Sequence, residues 1–543
     1  MNVVPEPLPG GSALASDYIH QYETVGHLYG GDFRSQESRA ERAQWLDRTG
    51  SLRADRADVV TYLRRYNGKH NAHEAVLRSL ELLEQPETLV VTGGQQSGLF
   101  TGPLFVVYKA ITTIQAAREA AAQLGRPVVP LFWIAGEDHD WDEVNHTYVL
   151  NRTGEITRIK LEKGEGPRSS VSEIKVDADS WIQVIAQLDG LLQDSEFKPQ
   201  LMELVTASSQ GAENMTEAFA KLMGALFGQF GLILLDSADP ALRRLEAPMF
   251  ASMIERNDEL ETAYLAAAEQ IKASGYELQA DVTPGNANLF YIHEGARLLL
   301  HKVEGRFTDR KATVSFTRTE LLELLESHPE RFSNNVLTRP LMQDYVLPVL
   351  ATVLGQGEMA YWAIPHQAFK VLDGQMPLII PRMSFTVIEG TLHKHMDKYG
   401  LSFTDVRMHL DDKRKEWLSA QDELKLEDKF EEIKTAFSGM YEPLIEQLGG
   451  IQAGLLKLGN NNKDKIIDQI SFLQGKALDA LEKQNEAGLR QWERIELSLM
   501  PLGKLQERVY NMMYYLNRYG LGWLDELMAV PADYSGTHRI IYM

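Results

Sequence analysis

The sequence contains no cysteine in 543 residues. Disulfides, thiolate metal sites and cysteine nucleophiles are thereby excluded. Basic side chains are in deficit: 55 Lys and Arg stand against 76 Asp and Glu, a formal charge of −21. Nucleic-acid binding needs clustered cations on phosphates, so this balance argues against it. A helix N-terminus and a few cations still suffice for a small anion. No segment approaches the ~20 consecutive apolar residues of a membrane helix, and the opening MNVVPEPLPGG lacks the basic and apolar regions of a secretory signal. A cytoplasmic protein without nucleic-acid or membrane partner is expected. What remains is ordinary globular composition, 44% hydrophobic and 24% charged, with chain for about three to four domains.

The stretch from Thr88 to His146 organises the rest. TLVVT (Thr88 to Thr92) is a β-branched run ending in Gly93–Gly94, the pattern of a buried parallel strand entering a tight turn. Leu104, Val107, Ile111, Ile114 and Ala117 then fall at helical spacing, and Gly125 and Pro127 stop that helix. Val128 to Ala135 is a second apolar run that opens onto GEDHDWDEVNH. Strand, turn, helix and strand make a right-handed βαβ unit. Both polar clusters lie beyond the carboxyl ends of strands, where open α/β sheets bind ligands.

Around this unit the pattern predicts an α/β fold with a parallel-sheet core and two insertions. Residues 1–146 hold N-terminal helices and the first part of the core. Residues 147–230 form a first insertion of strands then helices, and 231–272 continue the core through the strand GLILLD. A meander fills 273–334. The core resumes over 335–389 with a helix from Asn335 through Leu354, a loop GQGEMAYWAIPHQAF and a strand MPLIIPR. Residues 390–500 carry apolar spacings of three and four: Phe430, Ile433, Phe437, Met440, Leu444, Leu448, Ile451 and Leu455, then Ile466, Ile470, Leu473, Ala477 and Leu481. Two such seams joined across Gly459 to Asp464 predict an antiparallel helical coiled coil. Trp417, Leu418, Leu424, Tyr441 and Leu478 fall outside the seams, which predicts a homodimer through this arm. Residues 501–543 are expected to pack back on the core.

Four motifs carry candidate chemistry. TGGQQSGLFTGP sits between strand and helix, where backbone N–H groups could hold a phosphate or carboxylate. It is neither GxGxxG nor GxxxxGK[ST]. Gln95 and Gln96 add directional amides, and Thr101, Gly102 and Lys109 follow as binding candidates. GEDHDWDEVNH supplies Asp138, His139, Asp140, Asn145 and His146. Its spacing matches no standard metal motif, so carboxylates orienting His139 as a base or as a hydrogen-bond donor to substrate are expected, with no metal. A metal-dependent hydrolase or transferase is the alternative, and a capped helix start the bland one. PRMSFTVIE places Arg382, Ser384 and Thr386 late in the core; a strand end with a Ser cap is its plain structural account. QERVYNMMYYLNRYGLGW groups Arg508, Tyr510, Tyr514, Asn517 and Arg518, an aromatic stripe that serves either as core or as a platform for a base.

The residues TGGQQSGLFTGPLFVVYK, LFWIAGEDHDWDEVNH, NVLTRPLMQDYVLP, GEMAYWA and MPLIIPRMSFTVIE together resemble the bacillithiol synthase family of cysteine ligases. They run in the family's order to about Glu389, and the helical tail fits. The resemblance implies a Rossmann-like core similar to class I nucleotidyltransferases, and the addition of L-cysteine to glucosaminyl malate. Amide formation from a free carboxylate is uphill in water, so activation by ATP is expected. His139 with Asp138 would then serve as base, and Gln95, Gln96 and helix N–H groups would steady developing charge. By analogy of fold, Arg382 and Ser384 would contact phosphates. The family also implies an adenine nucleotide, ATP or ADP, near Arg508, Tyr510, Tyr514, Asn517 and Arg518. One departure is plain: the family's TGP is followed by HK, and here by Tyr108–Lys109. Lack of cysteine would spare a thiol-handling enzyme mixed disulfides. A non-enzymatic coiled-coil scaffold is the rival outside enzymology.

Overall fold

The computed structural model describes residues 1–7, 11–164 and 166–543. The chain divides into two units, Met1–Thr386 with Leu505–Ile541, and Val387–Lys504 with Tyr542–Met543.

The first unit is built on five strands: β1 (Leu89–Gln95), β2 (Val128–Ile134), β3 (Ile233–Asp236), β4 (Val349–Leu354) and β5 (Leu378–Pro381). They lie in the order β5–β4–β1–β2–β3, every neighbouring pair parallel. This is a doubly wound, Rossmann-like order whose direction reverses between β1 and β4. Nearly every residue of these strands is buried, as a sheet covered on both faces requires. Helix α1 (Leu104–Leu124) makes the crossover from β1 to β2. The outer strand β3 is protected by side chains: Asn67 donates to the Leu234 carbonyl (2.9 Å) and accepts from its amide (2.9 Å), and Asn71 donates to Leu232 (2.8 Å). Two amides thus take the place of a further strand.

Three expectations are corrected here. Gly93 and Gly94 do not form a turn; they are the end of β1. A Cβ at Gly93 would stand 2.2 Å from Thr113 Oγ1, and one at Gly94 2.6 Å from the Trp133 carbonyl, so these glycines serve close packing. The run after Asn335 is not one helix through Leu354. Helix Arg339–Val346 ends there and Val349–Leu354 is the interior strand β4, because a short, wholly apolar run does not distinguish buried helix from buried strand. GQGEMAYWAIPHQAF is not a loop but the helices Gln356–Trp362 and His366–Val371.

The first insertion opens with the antiparallel pair His146–Leu150 and Ile156–Lys160 and continues as three helices between Ala178 and Phe227. The second contains a five-stranded antiparallel sheet, including Asn286–His293, Ala296–Val303 and Phe332–Asn334.

In the second unit, helices Leu426–Ile451 and Ala453–Gln484 pair antiparallel. Their turn lies at Gln452 (φ −154°, ψ 126°), not at Gly459 to Asp464, which continue the helix. The seam is also shifted. Ile445 is 2% exposed, facing Gly459, and Tyr441 stacks on Phe437 and reaches Asn462 (2.8 Å). Ile433, Met440, Leu444 and Ile451, expected inside the seam, are instead 51%, 74%, 47% and 76% exposed. Trp417 is not left outside a seam; it packs against Tyr399 and Trp492 (5.5 and 6.0 Å between rings).

Candidate active site

At the carboxyl ends of β1 and β2 the first unit holds a cavity of about 420 Å³. Gly94, Gln95 and Gln96 come from β1 and its loop, and Glu137 to Asp140 from the loop after β2. The second insertion contributes Phe290, Arg297 and Asn334, and the β4 side contributes Arg339, Glu358 and Tyr361. The cavity thus sits where the strand order reverses, the place an open α/β sheet offers a ligand.

Most charges around it are spent on one another. Lys109 on α1 is 1% exposed, and its ammonium donates to the Gly94 carbonyl (2.9 Å), Gln95 Oε1 (3.0 Å) and Glu358 Oε2 (2.5 Å). Three donors meet three acceptors, so Lys109 ties the end of β1 to helix Gln356–Trp362 and has no proton left for a ligand. Burial acts to raise the Glu358 carboxyl, but Lys109 and Arg339 outweigh it and leave it below the usual range. Glu137 follows the same logic. Burial opposes its charge, yet Arg243 (2.5 Å) and Arg297 prevail, helped by Ser333 Oγ (2.7 Å) and the Asn334 amide (3.1 Å). Arg243 also donates to Glu246 (2.7 Å). One guanidinium serves two carboxylates, and burial, with Arg243 opposing and Glu137 assisting, pushes Glu246 up to about 8.

His139 faces the cavity with its ring 5.7 Å from Phe290. Arg297 Nη1 lies 2.8 Å from its Nδ1. Arg297 is itself fixed: Nε donates to Ser333 (3.0 Å), Nη2 to the Asn334 carbonyl, and the guanidinium lies 3.8 Å above the Phe290 ring. Burial, then Arg297 and Arg168, lower the His139 pKa against the pull of Asp140 and Asp138. Asp138 accepts from Gln96 Nε2 (2.6 Å) and from the His139 amide (2.7 Å), and Asp140 pairs with Arg168.

Arg339 differs from the other charges here. Among the described residues its one side-chain hydrogen bond is to the Tyr361 hydroxyl (3.1 Å), and the nearby charges of Glu358 and Glu137 act on it. It opens the helix Arg339–Val346, after Asn335 has bonded the Leu337 and Thr338 amides (2.9 and 3.0 Å). Its remaining N–H groups form a planar fork suited to a carboxylate or phosphate.

The cavity therefore gathers Gln95, Gln96, Asp138, His139 and Asp140 from the sequence candidates. Others lie elsewhere. Thr101 and Gly102 are turned inward at φ 78° and 71°, held with Phe100 by the Asn511 amide, which donates to Phe100 and Gly102 carbonyls (2.6 and 2.8 Å). The first amide of α1, on Leu104, is bonded to the Tyr510 carbonyl (2.9 Å), so the start of α1 is no anion cradle. Asn145 is buried, its side chain bonded to His146 (3.1 Å), and His146 begins the hairpin rather than facing the cavity. Tyr108 is a core residue edge-on to Phe385 (5.0 Å). Arg382 makes a bidentate pair with Glu507 (2.9 and 2.7 Å), and Ser384 and Thr386 bracket His538 (2.6 and 2.8 Å). Those three belong to no mobile phosphate loop; Ser384 and Thr386 lie in a strand, Ser384–Ile388. Tyr510 and Tyr514 are stacked and 1% and 7% exposed, so no ring face is open to a base. Asn517 bonds Gln193 and Ser195, Arg518 lies over Tyr514, and Arg508 is exposed.

Sequence reasoning missed Arg297, Arg339, Glu358, Tyr361 and the Glu137–Arg243 pair as parts of this site. Arg339 sits in NVLTRPLMQDYVLP and Glu358 in GEMAYWA, so two of the family-like segments did mark the spot. Arg243 and Arg297 lie outside those segments and meet Glu137 or His139 only through the fold. Among the described residues no group of three or more His, Asp or Glu is placed to hold a metal ion, and no helix is long and apolar enough to cross a membrane.

A Rossmann-like sheet with a polar cavity at its switch point, followed by a coiled-coil unit, defines the class. Residues 1–383 match the family described as Bacillithiol biosynthesis BshC, N-terminal Rossmann-like domain, and residues 385–543 its C-terminal coiled-coil domain. The chain belongs to this BshC family. Curated relatives described as "Putative cysteine ligase BshC" from Geobacillus kaustophilus and Geobacillus thermodenitrificans are 37% and 36% identical, each over the whole of both chains. A solved structure described as a "putative arginyl t-RNA synthetase" from Campylobacter jejuni aligns over 82% of this chain and 93% of its own, at 10% identity and a TM-score of 0.21. That value is too low to define a shared fold, and the doubly wound strand order occurs in many unrelated enzymes. The core is Rossmann-like without being thereby a nucleotidyltransferase.

Proposed function

We propose that the chain is a carbon–nitrogen ligase that joins the carboxylate of L-cysteine to the amine of glucosaminyl malate, after ATP has activated that carboxylate. The names of the full-length relatives and the family description support this reading. The observation within the structure that supports it best is Arg339, a cation with uncommitted donors in a cavity whose other charges are paired. Carboxylate and phosphate are the two anions that meet during activation, and a guanidinium fork accepts either. Asp138 and Asp140 line the same cavity, held by Gln96 and Arg168 respectively. The reading places the nucleotide's phosphates at Arg339 rather than among the buried Tyr510 and Tyr514, and it includes a homodimer formed through the second unit.

The test is direct. Purified protein is incubated with cysteine, ATP and glucosaminyl malate, and mass spectrometry reads the thiol product together with AMP or ADP. Product that disappears in Arg339→Gln, with the melting curve unchanged, supports the reading. No product from freshly purified wild-type protein under any nucleotide condition overturns it.

A further inference from the structure

We propose that His139 acts as a neutral Nε2–H hydrogen-bond donor toward the bound substrate, with Arg297 as the positioning residue that fixes this tautomer. A guanidinium can only donate. With Arg297 Nη1 2.8 Å from Nδ1, that ring nitrogen must present its lone pair, and the ring proton of a neutral imidazole then resides on Nε2. Arg297 cannot turn away to release it. Its other two nitrogens are bonded to Ser333 and to the Asn334 carbonyl, its plane rests on Phe290, and its side chain is 5% exposed.

The charged groups facing His139 come from each neighbouring element. Asp138 and Asp140 belong to its own loop, with oxygens 3.8 Å from Nδ1 and Nε2 respectively. Arg168 comes from the first insertion and Arg297 from the second. Both carboxylates are already engaged, Asp138 by Gln96 and Asp140 by Arg168. Burial and the two arginines together favour the uncharged ring.

The proposal rests on the ligase reading only for what the donor serves. In the joining step the amine nitrogen bonds the activated carboxyl carbon, the bond from that carbon to the phosphate oxygen breaks, and the amine proton leaves to a neighbouring carboxylate or to water. His139 keeps its proton and directs it at the oxygen that gathers negative charge. Of the two roles the GEDHD segment offers His139, base or hydrogen-bond donor, the bond from Arg297 selects the donor and fixes which nitrogen carries the proton.

Two measurements test this independently. In full-length protein labelled with 15N-histidine, His139 is assigned by loss of its signals in His139→Gln. The expected spectrum is a neutral Nε2–H ring without titration near the ordinary value of about 6.5. A ring carrying its proton on Nδ1, or titrating near that value, overturns the proposal whatever the reaction. In the ligation assay His139→Gln keeps an N–H donor but cannot serve as a base, so it should retain at least tenfold more turnover than His139→Ala, which should lose about 10²- to 10³-fold. Equal loss in the two variants contradicts the donor role. A correct tautomer with no ligation in the wild type would instead sink the ligase reading and leave the positioning by Arg297 standing.

Discussion

Two polar segments close strands of the same sheet, and they do opposite things. GEDHD follows β2 and opens its side chains onto a cavity. PRMSFT follows β5 and folds its side chains into Glu507 and His538. Both carry Arg, Ser or His beyond a strand end, and position alone would give both to the ligand. The difference lies in what the rest of the chain brings. Leu505–Ile541 belongs to the same unit and brings Glu507 to Arg382 and His538 to Ser384 and Thr386. The second insertion brings a strand pair to GEDHD and leaves a gap between them. A charge fully answered by its neighbours is a fastener, and one left partly unanswered at a cavity is available for chemistry.

The largest expected effect tests the fastener. Arg382 and Glu507 are buried, with side chains 8% and 2% exposed. Glu507→Ala strands the guanidinium, and loss of one member of such a pair costs about 3–5 kcal/mol. Chemical denaturation should show a fall of that order, while Arg382→Met with Glu507→Leu together recovers much of it. A change below about 1 kcal/mol in the single variant would show that the two segments are alike after all.

Arg339→Gln sharpens the comparison from the other side. Its guanidinium has one hydrogen-bonding partner, so stability should move by less than about 1 kcal/mol. Turnover should fall by about 10²-fold or more, as for removal of a donor to developing charge. The combination of intact melting and lost turnover is the expected signature; destabilisation matching Glu507→Ala would place Arg339 among the fasteners.

A third expectation concerns pH. Glu246, raised to about 8 by burial, holds a proton in the folded chain that it gives up near 4.5 when unfolded. Between those values the folded state binds more protons, so this group's contribution to stability is fully present below about 4.5 and is lost as pH rises toward about 8. Glu246→Gln should flatten the decline across that window, measured by denaturation at several pH values. An unchanged slope would mean that Glu246 stays ionised beside Arg243.

Much of this was legible in the chain. The βαβ unit, the two insertions and the helical arm follow from strand-length and helix-length periods. Gln95, Gln96, Asp138, His139 and Asp140 could be placed together because both ends of one βαβ unit share an edge of the sheet. The strand Val349–Leu354 was hidden because a fully buried strand has no alternation to reveal it. Arg297 could not be found, since its role depends on a bond to a residue 158 positions away. Burial of Tyr510 and Tyr514 was equally invisible, because an aromatic stripe reads the same whether covered by protein or open to a ligand.

The smallest effect expected on the fold itself, though not on its assembly, concerns the second unit. The antiparallel pair buries Ile445 and partly covers Phe437, Tyr441 and Ile466, yet Ile433, Met440 and Ile451 on one helix and Phe472 and Leu473 on the other remain more than half exposed. A two-helix arm has only one seam to bury, and a second apolar stripe of this length usually marks an interface. Positions 433, 440 and 451 recur at seven and eleven residues, so they share one face. A second copy offering the same face across a twofold axis would cover both. Replacing Met440 and Ile451 by Glu removes exposed groups, so the unfolding free energy of the monomer should hardly move, within about 0.5 kcal/mol. The mass in solution should fall by half. Sedimentation equilibrium at micromolar concentration decides the matter: wild-type protein at the chain mass of 61.2 kDa, or a variant that remains dimeric, would show that this stripe does not join two copies.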